Sequence, residues 1–507
     1  MEDVLASEID SYLEKNWESI VADIERVVRI ESTEDLPAAK PGAPFGPGPR
    51  AALTEALDIA RGMGFEVHDV DGYVGYADLP GESDTQIGII GHVDVVPAGP
   101  GWTVEPFAVT RREGYLMGRG VIDDKGPIVT TLHAVKFWLD KGEKLPYTIR
   151  VIFGANEETG MHDVPYYRER FADPAFLFTP DAEFPVSYGE KGLYDATLTS
   201  KRFEDGAIID IEGGAAPNAV PGIAHAIVRA DASTLPAAEG IVVADAGEGT
   251  ARIDAQGKAA HASLPHLGKS AIDLLVAYLL ENDVCTADEK AFFELVRKLT
   301  SATDGSNLGI KTADEHFGEL TVVGGTICMQ DGRVKQTLDS RFPTSTTPEE
   351  LTSTLAALAS EVGADFEATR MVEPFLIDPE SGYVQALLSA YNEATGEHAK
   401  PFTQGGGTYA RKFSCAASFG PEMPWIEMPE WAGGMHGPDE TVPEELLKKA
   451  FKIYALTIAR LMETSARRSP EGSPGSVPRA STTRRPCRPN SSRSRSWAAT
   501  CSGFTSN

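Results

Sequence analysis

Cysteine is scarce in this chain. Its five cysteines, Cys285, Cys328, Cys415, Cys487 and Cys501, are scattered through 507 residues without metal-type spacing. An odd, dispersed set excludes a disulfide framework and suits a reducing cytoplasmic compartment. Positive charge is also in short supply: 46 Lys and Arg face 75 Asp and Glu, for a net charge of −29. Nucleic acid and anionic membrane are therefore poor partners, since both are held by cationic surfaces. No uninterrupted apolar run approaches the roughly 20 residues of a membrane span. The acidic start, Met1-Glu2-Asp3, lacks the charged-then-apolar order of a signal peptide. The balance of the composition, 42% hydrophobic and 24% charged, is that of a soluble globular protein. The length points to more than one domain.

Hydrophobic periodicity predicts helices over 4–29, 51–63, 126–139, 270–280, 288–299, 349–362 and 383–395. It predicts strands over 65–70, 74–77, 86–90, 148–153 and 175–178. Strands alternating with helices imply an α/β, mostly parallel-sheet domain, with a site at the carboxyl ends of its strands. From about Gly189 the pattern becomes mixed. Strands are expected over 193–200 and 223–231, a hairpin over 251–260, and another hairpin over 320–341. This predicts an inserted α+β domain, 189–375, between two parts of a discontinuous first domain, 1–188 and 376–464. Thr441-Val-Pro-Glu444 reads as a capping box opening a final helix. Residues 465–507, with eight Arg against one Glu and much Ser and Pro, read as a disordered basic tail.

The chemistry gathers at the predicted strand ends. Ile87-Gly-Ile-Ile-Gly-His92-Val-Asp94 and Gly118-Arg-Gly-Val-Ile-Asp123-Asp124-Lys-Gly end apolar runs in histidine and aspartate. Glu157-Glu158-Thr-Gly, Thr179-Pro-Asp181 and Gly433-Gly-Met-His436-Gly follow further along the chain. His92, Asp123, Glu158, Asp181 and His436 offer two imidazoles and three carboxylates. That donor set suits zinc, cobalt or manganese better than calcium. Five protein ligands exceed what one ion needs, so two ions sharing a carboxylate are expected. Asp94 can orient His92 through the other ring nitrogen. Of the adjacent Glu157 and Glu158, one can bind metal while the other serves as general base; the spacing does not say which. His133, His162 and His266 read as structural, Tyr409 as packing and Arg411 as surface charge. Gly405–Gly407 is followed by no phosphate-loop lysine.

These motifs, in this order, resemble the dinuclear zinc metallopeptidases of the M20 family, clan MH, and most closely their PepV-like dipeptidase branch. The resemblance spans about residues 5–464. It implies that Asp123 bridges two divalent ions, most simply zinc. His92 and Asp181 would complete one site, Glu158 and His436 the other. It implies Glu157 as the base and a cis Asp123–Asp124 bond. It makes the insert a lid carrying His261 for the oxyanion and Asn218 and Arg341 for the substrate's carboxylate. The expected activity is hydrolysis of short peptides with free termini through a metal-bridging hydroxide, in a chain that favours the monomer over a homodimer. An N-acyl-amino-acid deacylase on the same scaffold is the alternative. A non-catalytic metal- or peptide-binding protein is the third reading.

Overall fold

Two nine-stranded sheets, each with its own apolar core, make up the computed structural model, which describes residues 2–466. The expected basic tail, from residue 467 onward, lies outside the described residues. No helix among the described residues is long and apolar enough to cross a membrane.

The first sheet runs in the order 66–70, 74–79, 148–154, 86–92, 176–179, 416–418, 187–190 and 375–376, with 402–404 pairing 187–190. Its centre is parallel: Gln86–His92 pairs Thr148–Gly154 on one side and Phe176–Thr179 on the other, and Ala416–Ser418 continues parallel beyond. Both edges are antiparallel. The expected parallel sheet is thus the middle of a mixed one. Alternate residues feed opposite faces, as a pleated strand requires. Ile87, Ile89, Val151, Phe153, Phe176 and Phe178 join the larger core. Ile90, Ile152 and Leu177 face a smaller one with Tyr167, Tyr409 and Phe413. A sheet covered on both faces needs strands apolar throughout, which these are.

Helices Glu2–Val28, Lys125–Lys141, Gly382–Thr395 and Glu444–Ala466 supply the larger core with Ile20, Ile24, Leu132, Trp138, Leu387 and Tyr454. Thr441–Pro443 does not open the last helix. It is a strand antiparallel to Tyr115–Met117, and the helix begins at Glu444. Pro443 accounts for this, because the residue before a proline is pushed toward extended backbone.

The second sheet is antiparallel throughout, in the order 241–247, 250–256, 223–228, 208–213, 327–330, 333–342, 192–199 and 365–372, with 321–323 also pairing 333–342. Helices Ala271–Glu281, Ala287–Thr300 and Pro348–Glu361 cover it through Ile272, Leu275, Phe293, Val296 and Leu355. The hairpin expected over 251–260 does not form. Thr250–Gln256 pairs with Ile241–Gly247 and Ile223–Val228, while Ala260–His261 pairs with Ala219–Val220. The chain passes between the two sheets at Lys191 and again at 373–374.

Trp138 is 2% exposed and its indole N–H donates to Ala455 O at 3.0 Å, tying Lys125–Lys141 to Glu444–Ala466. Trp138→Ala is expected to lower the unfolding free energy by about 3–5 kcal/mol, measured by denaturant titration.

Candidate metal centre

His92 ends its strand level with Gly154, the last residue of the neighbouring parallel strand. Asp181 follows the next strand by two residues, so three parallel strands deliver ligand-type side chains to one edge. Two glycines make room. A Cβ at Gly91 would strike the carboxylate of Asp124, which accepts the His92 N–H at 3.0 Å. A Cβ at Gly154 would strike the Tyr409 hydroxyl.

Asp123 lies at the middle. Its Oδ1 is 3.0 Å from His92 Nε2 and its Oδ2 is 2.9 Å from His436 Nε2. Asp181 Oδ2 is 3.8 Å from His92 Nε2, and Glu158 Oε2 is 3.2 Å from His436 Nε2. Two donor sets result, His92–Asp123–Asp181 and Asp123–Glu158–His436, with the ligand atoms of each within 4.8 Å of one another. Asp123 belongs to both. The Asp123–Asp124 peptide is cis.

The charge balance tests whether cations fit. Burial, then the charge of Asp123, pushes Asp181 up to about 7. Burial, then Asp181, raises Glu157 well above the usual carboxylate range; burial, then Asp123, raises Glu158. Bonds to Asp123 and Glu158 push His436 up to about 11. Only Asp123 is driven down: its bonds to His436 and His92 overcome its burial. Carboxylates held this close favour cations between them. Imidazole and carboxylate donors at these spacings suit divalent transition-type ions, so the residues present fit two such ions sharing Asp123.

The loops bearing these groups are shaped by further buried carboxylates. Asp94 differs from expectation. Its main-chain carbonyl, at 3.0 Å, accepts from His92 Nδ1, while its carboxylate is 3.5 Å from that nitrogen. The carboxylate instead accepts the N–H groups of Glu157 and Glu158, each at 3.1 Å, because the tight turn after Gly154 leaves those donors without strand partners. Asp163 accepts the N–H groups of Ala155 and Asn156 at 2.8 and 3.2 Å and the Tyr409 hydroxyl at 2.5 Å. Glu440 accepts from Arg119 Nη1 at 2.6 Å and from the N–H groups of Gly120 and Ile122 at 2.9 and 3.1 Å. Arg119 also donates to the carbonyls of His436 and Gly437, at 3.2 and 3.1 Å, so one buried pair ties the Asp123 loop to the His436 loop. Sequence reading missed Asp163, Arg119 and Glu440. The only available signal was their adjacency to the motifs.

The remaining candidates lie on the second sheet and its hairpin. His261 pairs across from Ala219, and Asn218 O accepts the Ala262 N–H at 3.0 Å, so Asn218 and His261 are neighbours. His261 Nδ1 is 2.7 Å from Ser263 Oγ. Partial burial, then the charge of Arg341, lowers its pKa, with His436 adding to the effect. Arg341 grips Asp339 with two bonds, at 2.8 and 2.7 Å, and Nη1 reaches Gly405 O at 3.4 Å. Arg411 is not surface charge. It is buried against Glu190 at 2.9 Å, beside the Lys191 crossover.

The family model for peptidase family M20/M25/M40 matches residues 88–460. The Beta-Ala-Xaa dipeptidase of Lactobacillus delbrueckii subsp. lactis is 30% identical over 462 residues, covering 88% of this chain and 97% of that protein. Among solved structures, human carnosine dipeptidase 1 superposes with a TM-score of 0.58 at 15% identity, over 90% of this chain and 99% of that one. The dipeptidase Dug1p of Saccharomyces cerevisiae does so with a TM-score of 0.56 at 15% identity, over 90% and 98%. The structural likenesses establish a shared fold. The family match over 88–460, together with a 30% identical relative covered almost end to end, shows that this chain belongs to peptidase family M20/M25/M40.

Proposed function

We propose that this chain is a metal-dependent dipeptidase that hydrolyses short peptides with free termini. The observation that carries the reading is the pair of donor sets sharing Asp123, with the carboxylate of Glu157 beside them and outside both. His92, Asp123 and Asp181 would hold one divalent ion, and Asp123, Glu158 and His436 the other, zinc suiting the donors best and cobalt or manganese also. Bound there, such ions polarise a carbonyl and acidify water.

The chain's own residues supply the rest. Glu157 takes a proton from the attacking water and returns it to the departing amine. Its burial keeps its proton affinity above that of an exposed glutamate, as a base working near neutral pH needs. Asp94 holds the Glu157–Glu158 turn and the His92 ring in register. His261, with Nδ1 engaged by Ser263, donates from Nε2 to the oxygen that gains charge. Arg341 and Asn218 receive the substrate's carboxylate, for which a guanidinium fork is suited. The second sheet with its helices, 192–372, acts as the lid that brings these three groups over the ions. All of them come from the same chain, which favours a monomer. The Beta-Ala-Xaa dipeptidase supports a dipeptide over an acylated amino acid as substrate. The scattered cysteines support a cytoplasmic location.

Glu157→Gln should retain two ions by elemental analysis while kcat falls by about 10²–10⁴-fold. Asp123→Ala should lose metal in the same measurement. A Glu157→Gln protein with near-normal turnover would remove Glu157 as the base. Arg341→Lys keeps a cation beside Asp339 but loses the fork. It should raise KM for a dipeptide by about tenfold, with a smaller change for the carboxyl-amidated dipeptide.

A further inference from the structure

A cavity of about 210 Å³ opens between the two metal-ligand loops. Ile122, which precedes Asp123, and Met435, which precedes His436, both line it. Met423, Ile426 and Met428 form much of the remaining wall. Methionine walls adapt to side chains of differing shape. Among the residues lining this cavity, Glu422 alone is ionisable.

Glu422 belongs to neither donor set. It sits on a short strand, Pro421–Glu422, parallel to Ala182–Glu183, which directly follows Asp181. It is half-buried, and among the described residues no hydrogen bond or ion pair engages its carboxylate. A lone carboxylate in an otherwise uncharged, largely apolar cavity favours a cation as its partner. A metal ion would need further ligand atoms, and no third donor set assembles around Glu422 among the described residues. A single ammonium needs only an acceptor.

The position of the charge determines which ammonium. Glu422 shares the cavity with Ile122 and Met435, the residues that precede Asp123 and His436, and its strand pairs with the residues that follow Asp181, so the cavity borders the metal centre and its other walls are largely apolar. Resting on the dipeptidase reading, Arg341 takes the carboxylate end of the substrate, so the amino end points away from the lid. We propose that Glu422 recognises the free amino group of the substrate's first residue, and that the methionine-lined cavity beside it takes that residue's side chain. This would be the feature that separates a dipeptide from an N-acylated amino acid on this scaffold.

The test compares kcat/KM for methionyl-glycine and N-acetyl-methionyl-glycine in the wild-type protein, Glu422→Gln and Glu422→Asp, each loaded with zinc and assayed for metal content. The wild type should prefer the free amine. Glu422→Gln should keep two ions and lose that preference by about 10- to 100-fold, through KM rather than kcat, as expected for loss of a charged hydrogen bond. Glu422→Asp, which keeps the charge, should restore part of the preference. An unchanged preference in a two-metal Glu422→Gln protein would overturn the proposal, and so would a loss confined to kcat. Loss of metal from Glu422→Gln would overturn it as well, by placing Glu422 in the metal centre. A wild-type protein that cleaves neither compound would overturn the dipeptidase reading and this inference together; one that cleaves the dipeptide while Glu422→Gln keeps its preference would overturn this inference alone.

Discussion

The structure depends on holding several carboxylates together around Asp123 with only two imidazoles to balance them. Buried charge of one sign is unstable unless a counter-charge or donors meet it. Two solutions appear side by side. Asp94, Asp163 and Glu440 are met by backbone N–H groups or by Arg119, and so become fixed parts of the frame. Among the described residues no backbone N–H or arginine donates to the carboxylates of Asp181, Glu157 and Glu158, and His92 and His436 are the imidazoles nearest Asp181 and Glu158. The same residue type thus builds the cradle in one place and creates the demand for cations in another.

Delivery of these groups follows from the parallel centre of the first sheet. Neighbouring parallel strands all end on one side, so each strand adds its trailing loop to the same edge. Antiparallel pairing would have sent alternate loops to opposite ends. The second sheet has no such edge and contributes differently. Its residues Asn218, His261 and Arg341 suit recognition of a substrate more than ligation of a metal. The contact of Arg341 with Gly405 O joins the second sheet to the loop that follows strand 402–404 of the first. The buried Arg411–Glu190 pair lies where the chain crosses from one sheet to the other. A charged pair at that crossing ties the glycine-rich loop to the strand from which the second sheet departs.

Some of this was legible in the residues. Apolar runs ending in His92 and in Glu157-Glu158 announced strand ends bearing chemistry, because solvated loops have no need of buried carboxylates beside glycines. The orientation of the edge strands of the first sheet was not legible, and neither was one strand near its centre. Strand Ala416–Ser418 has no β-branched residue and pairs by position, being buried against Phe176–Thr179. Arg411 was misread for a related reason: an arginine carries no sequence mark of being buried until its partner, 221 positions earlier at Glu190, is placed beside it.

By itself, the sequence determined the types of donor, their order and the local elements that carry them. These depend on short-range periodicity and on chemistry intrinsic to each side chain. Only the tertiary structure decided which carboxylates face the donor sets around Asp123 and which face backbone donors. Asp94 and Asp181 are the same residue type near the ends of neighbouring strands. One accepts two N–H groups of the Glu157–Glu158 turn, and the other is left with the charge of Asp123. That difference comes from long-range packing, which sets the supply of donors at each point and leaves no trace in the spacing of the residues.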